Sequence, residues 1–491
     1  MVFASLTFLY IFLPLNLILY YAYNNVIYRN ILLTGFSLFF YAWGEPVWII
    51  LLLFSAFVDW INALVIEKYH GTHWAKIGLI SSAVVNLGLL VIFKYSGFLY
   101  ENINAVFGLD LEVPQFSLPI GISFYSFHAL SYTIDVYRGK VKAQRSYGKF
   151  LMCVSMYHQL VAGPIVRYAH IAHAIDNRKF NIYDMSAGVN RFCIGLFKKV
   201  CIANVAGELV KHYFGENNSL DPNFIPLDIT HLTAAQGWFA ICMFTIQIYF
   251  DFSGYSDMAI GLGRMFGFHY HENFRYPYIS RSATEFWRRW HISLGSFFRD
   301  YLYIPLGGNK HKEYRNLFIV WCLTGLWHGS TWNFILWGLY FGILIFFEKI
   351  FLQKLLDKTP RFVSHIYLLF AAVLGWALFF FKDLDRLGQF FKIIFGQGIN
   401  TVAETITRNE EFWQTFLANA YWIILAIILC LPVYPLVTGK IKRTAVNLKS
   451  KFMWAHASYY VVIILFNLSL LFLATAMLIG KTYNPFLYER I

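Results

Sequence analysis

Apolar runs between Gln247 and Gly342 are broken by Asp251, Asp257, His291, Asp300 and His328. Hydrocarbon cannot solvate such groups, so a membrane protein must hold them in protein or beside a wet cavity. They are functional candidates before anything else is known. An imidazole with an ordinary pKa of about 6.5 can take a proton from a hydroxyl at neutral pH, which is worth roughly 10²–10⁴-fold in rate. His328 stands in LWHGS and His291 in WRRWHIS. Each has a plainer alternative: a helix-packing imidazole for His328, and an interfacial residue for His291, which follows Arg288, Arg289 and Trp290. Asp251 and Asp257, six apart in a small-residue stretch, either orient a histidine or cap a broken helix. The six cysteines (Cys153, Cys193, Cys201, Cys242, Cys322, Cys430) show no CxxC or Cys/His ligand spacing. Neither a disulfide framework nor a metal site is expected.

The elements that must position these residues are membrane spans. The chain of 491 residues is 58% hydrophobic and 14% charged, against about 25% charged in soluble proteins. Repeated apolar runs of about 18–25 residues predict an all-α polytopic membrane protein of about 11–13 spans, with re-entrant or short helices around a central pocket. A spanning β-barrel would instead alternate at period two. One membrane-embedded domain is expected, with N-terminal spans over 1–115, a core over 116–351, and C-terminal spans with an outward tail over 352–491. The net charge of +13 fits positive-inside loops and attraction to anionic membrane lipids. Its placement in short loops argues against nucleic-acid binding. Met1-Val-Phe lacks a basic n-region, so no cleavable leader is expected.

Loop charge predicts the orientation. Arg138–Lys149 and Gly439–Lys451 each hold five basic residues and no acid, which places both in the cytoplasm and, by parity, both termini outside. Asn316–Phe351 is a mostly apolar run of 36 residues with basic residues at both ends, interrupted at Thr324-Gly325 and His328-Gly329-Ser330. A broken helical hairpin resolves this pattern. Both ends are then cytoplasmic, and His328 lies near membrane depth at the bottom of a pocket, since irregular backbone is tolerated there only beside a protein-lined cavity. Phe266–Tyr314, aromatic and basic, reads as short amphipathic or re-entrant helices at the cytoplasmic face. Gly261-x-Gly263 is too short for a nucleotide fingerprint and reads as helix packing.

The strings DFSGYSDMAIGLG, ENFRYPYISRSATEFWRRWHISL with RDYLYIPLGG, and GLWHGSTWNFILWGLYFG resemble the membrane-bound O-acyltransferases (MBOAT). The resemblance is nearest to the alginate O-acetyltransferase membrane subunits of bacteria and more distant to the subunits that transfer D-alanine to teichoic acid. It is dense from about Phe116 to Phe351. It implies a catalytic pair, His328 and His291; Asp251, Asp257 and Asn333 are candidate supporting residues. It also implies an acyl thioester donor, acetyl-CoA or another. Arg288, Arg289 and Arg299, with Trp290, are the candidate donor-binding residues, since arginine suits bidentate phosphate contact; ordinary cytoplasmic charge is the plain alternative. The reaction implied is movement of an acetyl group across a bacterial inner membrane for O-acetylation of an exopolysaccharide or other envelope glycan, with no bound cofactor. A separate extracytoplasmic transferase would be the partner. Asn484-Pro485-Phe486-Leu487-Tyr488 resembles a short aromatic C-terminal motif in which a tyrosine acts as acyl relay; Glu489-Arg490-Ile491 departs from it, and a headgroup-level tyrosine is the plain alternative. D-alanyl transfer from a carrier protein is a second reading. A glycan or lipid transporter is a third, but it would show matched broken helices in both halves, and the WHG segment has no second copy.

Overall fold

The computed structural model describes residues 1–215, 226–398, 402–449, 453–480 and 486–487. Those residues are helical, with no strand among them. Six helices are long and apolar enough to cross a membrane: Ile49–Lys68, His73–Phe107, Trp332–Leu356, Arg361–Phe380, Glu404–Leu429 and Ser458–Leu478. The chain is therefore an all-α polytopic membrane protein. Other apolar stretches of the sequence form helices that are shorter or carry more charge, Phe8–Ala22 and Ile122–Tyr137 among them. In Ile122–Tyr137 almost every side chain is buried, so its polar atoms meet protein rather than lipid.

A central helix, Ala234–Met265, runs 32 residues, or about 48 Å at 1.5 Å per residue. A capping box starts it: the Thr233 side chain accepts from the Gln236 N–H, and the Gln236 side chain accepts from the Thr233 N–H. Its main partner is Ile182–Phe197. The two backbones meet at Gly188 against Gly261 and at Gly195 against Gly254, where a Cβ on any of the four would collide with the facing backbone. Small residues at such spacing let membrane helices approach closely, which is the packing role expected of Gly261. The same approach places Arg191 and Lys198 on Asp257, at 2.7 Å each.

The hairpin forms as expected. One helix, Glu313–His328, ends at His328, and the second, Trp332–Phe347, begins after an extended Gly329. Gly325 and Gly338 make the contact tight, each facing the other arm's backbone. Both ends of the hairpin lie on one face, where Lys349 pairs with Glu313. The basic loop after Tyr137 shares that face with the Phe266–Tyr314 stretch, because Arg138 donates to the Asp300 carbonyl at 3.0 Å. Two stretches assigned to one side by charge alone are thus in contact.

Candidate active site

His291 is placed by a break between two short helices. Ala283–Arg289 is N-capped by Ser282, whose hydroxyl accepts from the Glu285 N–H, and Ile292–Phe298 follows. His291 bridges them in the left-handed region, with φ 45° and ψ 53°. A non-glycine residue there costs on the order of 1–3 kcal/mol and persists only where its surroundings over-determine it. Asn273 does so. Its Oδ1 accepts from His291 Nδ1 at 3.2 Å, from the Ser293 N–H at 3.2 Å and from the Ser293 hydroxyl at 2.8 Å. Its Nδ2 donates to Ser256 Oγ at 3.1 Å, and its carbonyl accepts the Ile292 N–H at 2.9 Å. The backbone Ser293 N–H can only donate, so the atom facing it is the amide oxygen, and His291 Nδ1 must carry the hydrogen. The neutral ring then keeps its lone pair on Nε2, which is buried without a hydrogen-bond partner among the described residues.

His328 is held by shape. Its ring is met nearly edge-on by Trp327 and Trp337, each 4.9 Å away, and by Phe379 at 5.5 Å. Trp327 joins the two histidines, since its ring also lies 6.0 Å from that of His291. Both histidines are 1% exposed, so any substrate reaches them through protein. Asn333 supports this arrangement from behind: it donates to the Leu378 carbonyl at 3.0 Å and accepts from Thr331 at 2.5 Å, tying the hairpin to the helix that carries Phe379.

A cleft of about 560 Å³ opens on the basic face and reaches His291. Arg288, Arg299 and Lys349 line it, with Trp287, Trp321 and Thr324 as walls. Neither His328 nor Trp327, whose ring contacts both histidines, is among its lining residues. A second cleft of about 370 Å³ shares Ile292, Ser296 and Arg299 with the first and adds Arg167, His170 and Arg275. Asp300 joins the two arginines, accepting from Arg299 Nε at 2.7 Å and Arg167 Nη1 at 2.8 Å. Against the upward push of partial burial, those contacts hold the Asp300 carboxyl below the usual carboxylate range.

The expected site residues therefore divide. Arg288 and Arg299 line the first cleft, whereas Arg289 pairs with Glu285 at 2.9 Å. Trp290 faces away from the cleft, with its ring 4.6 Å from Trp376 and 5.5 Å from Phe286. Among the described residues, the hydrogen bonds of the two aspartates of the central helix go to other groups than a histidine. Asp257 binds Arg191 and Lys198, and Asp251 binds Lys199 and accepts the Leu487 N–H at 2.7 Å. Tyr488 lies outside the described residues. Its neighbour Phe486 is buried at 3% exposure against Phe252 and Tyr255, and Phe252 in turn lies 4.6 Å from His291. Asn273 and Lys94 escaped the sequence reading. Asn273 sits in ENFRYPY with nothing to separate it from a loop asparagine. Lys94, a single charge in an apolar run, was a legible signal.

The sequence profile described as MBOAT, membrane-bound O-acyltransferase family, matches residues 126–388, which include the central helix, both histidines and the hairpin. A "Probable alginate O-acetylase AlgI" of Azotobacter vinelandii is 40% identical over 437 residues, covering 87% of this chain and 84% of that protein. A "Peptidoglycan O-acetyltransferase" of Helicobacter pylori is 32% identical, covering 82% of each chain. A "Teichoic acid D-alanyltransferase" of Bacillus subtilis is 29% identical, over 47% of this chain and 60% of that one. The profile match and the near full-length relatives agree with a basic cleft that reaches a buried histidine, His291, with a second, His328, close by: the chain belongs to the membrane-bound O-acyltransferase family and is an O-acyltransferase.

Proposed function

We propose that this protein moves an acetyl group from acetyl-CoA, bound at the basic cytoplasmic face, to a hydroxyl on the far side of a bacterial inner membrane, for O-acetylation of an envelope polysaccharide such as alginate. The observation that carries this reading is the cleft whose rim holds Arg288, Arg299 and Lys349 and whose floor is His291. Its arginines suit a phosphate-bearing donor, and its apolar walls, Trp287 and Trp321, suit an acyl thioester arm. The printed names of the near full-length relatives favour a glycan acceptor and acetyl transfer. In the reaction, His328 takes the proton of the acceptor hydroxyl. The oxygen attacks the thioester carbonyl, the carbon–sulfur bond breaks, and the thiolate leaves as CoA after taking up a proton. His291, oriented by Asn273, turns Nε2 toward the donor cleft and aligns the thioester.

The first acceptor in this reading is the Tyr488 hydroxyl, which relays the acetyl group to a separate extracytoplasmic transferase. The burial of Phe486 and the hold of Asp251 on the Leu487 N–H support it by bringing the tail close to Phe252 and His291. Liposomes carrying the purified protein, given labelled acetyl-CoA, test the donor; transfer only from a D-alanyl carrier-protein thioester would replace this reading with the teichoic acid one. Intact-mass analysis of the C-terminal peptide tests the relay. No acetyl on Tyr488, with the downstream transferase absent, removes that step.

A further inference from the structure

Lys94 is the one charged residue between Lys76 and Glu101, inside the long apolar helix His73–Phe107. Its neighbours Val91 and Ile92 are 46% and 48% exposed, whereas Lys94 is 8% exposed. A buried ammonium is costly unless it is compensated, and inside a membrane protein it marks function by default. Its compensation here is specific. Nζ donates to the Trp327 carbonyl at 2.6 Å and lies 3.4 Å from the Ser123 hydroxyl and 5.9 Å from the centre of the Trp327 ring. The adjacent Tyr95 hydroxyl donates to the Leu326 carbonyl at 2.8 Å. Both residues belong to a π-helical turn, Val91–Tyr95, a local widening that recurs at functional sites.

The two carbonyls are among the last four of the helix that ends at His328, which have no partner within the helix and carry its negative end. A lysine ammonium and a phenol are suited donors for them. We propose that Lys94 and Tyr95 form a clamp that positions His328: they fix the last turn of its helix and the Trp327 ring, which lies against both histidines. Neither residue touches the reacting atoms, and the inference rests on the assignment of His328 to the chemical step.

The test is steady-state acetyl transfer from acetyl-CoA by the full-length protein in liposomes, with Tm measured alongside. Lys94→Met is expected to lower kcat roughly 10–100-fold, since a misplaced base loses most of its effect, with the KM for acetyl-CoA unchanged within about twofold. Tyr95→Phe, the milder change, is expected to lower kcat several-fold in the same pattern, and Lys94→Arg, which keeps charge and donors, to recover part of the loss. A folded Lys94→Met or Tyr95→Phe protein with wild-type kcat overturns the clamp, as does a raised KM with kcat intact, which would make Lys94 a donor-binding residue. If Lys94→Met does not fold, Tyr95→Phe and Lys94→Arg decide. Full activity in His328→Ala would instead remove the assignment on which the clamp rests.

Discussion

Two buried polar clusters each leave one polar atom unsatisfied, but in different surroundings. In the N-terminal bundle, Asp59 accepts from Ser82 at 2.5 Å and Asn86 at 2.8 Å, and Ser82 meets Thr133 at 3.0 Å. Both carboxylate oxygens are satisfied, and the polar atom left over is the amide oxygen of Asn86, buried without a hydrogen-bond partner among the described residues. Around Asn273 the network is as dense, and it ends on a ring whose far nitrogen points to no partner among the described residues. Burying an unsatisfied polar atom costs about 1–3 kcal/mol. Both clusters carry that cost, but His291 lines an open cleft, where a substrate can supply the missing contact, and Asn86 lines neither cleft of the basic face. The Asp59 cluster therefore joins helices, while the Asn273 cluster aims a histidine.

This difference can be broken directly. His328→Ala should leave no measurable acetyl transfer, a loss of at least about 10²–10³-fold, while the protein still inserts and purifies; full glycan acetylation in that variant would refute the catalytic assignment. Asn273→Ala should lower activity roughly tenfold or more, because one hydrogen bond of about 1.4 kcal/mol corresponds to tenfold. The loss should appear in kcat, with Tm less affected. Asp59→Ala should do the reverse, lowering stability by about 1–3 kcal/mol while activity per folded molecule stays near wild type. Equal loss of kcat in Asp59→Ala would erase the distinction.

Two smaller effects sharpen the picture at the basic face. Arg299→Ala should raise the KM for acetyl-CoA several-fold with little change in kcat, because the arginine lines both clefts at their shared wall; an unchanged KM would move the donor elsewhere. Asp300 contributes a pH dependence. Its carboxyl is held below its unfolded value of about 3.9, so its stabilising contribution is present above that value and is lost as pH falls through the folded value. Part-exposed ion pairs are worth about 0–1 kcal/mol, so Asp300→Asn should flatten the acid limb of a Tm-versus-pH curve only slightly. A steeper acid limb in that variant would contradict the sign.

Much of the fold was legible. Loop charge and two interruptions in Asn316–Phe351 specified a hairpin ending at His328, because lipid permits few ways to return a chain with both ends on one side. The short helices around His291 were legible from spacing. The division of labour among the arginines was not. Arg288 and Arg289 are adjacent and chemically identical, yet one lines the cleft and the other pairs with Glu285, since a turn of about 100° per residue sends neighbours to different faces. Trp290 was assigned to the same surface for its place in the string, and packing turned it onto Trp376.

By itself the sequence determined that the chain is an all-α membrane protein, which face is basic, and which two histidines interrupt apolar backbone. Composition, charge and lipid insolubility act along the chain, and they suffice for those conclusions. Only the tertiary structure decided which side chains complete the site. Asn273 lies 18 residues before His291, Lys94 lies 233 residues before Trp327, and Asp251 lies 236 residues before Leu487. A hydrogen bond forms over about 3 Å whatever the separation along the chain, so which partners meet is set by packing.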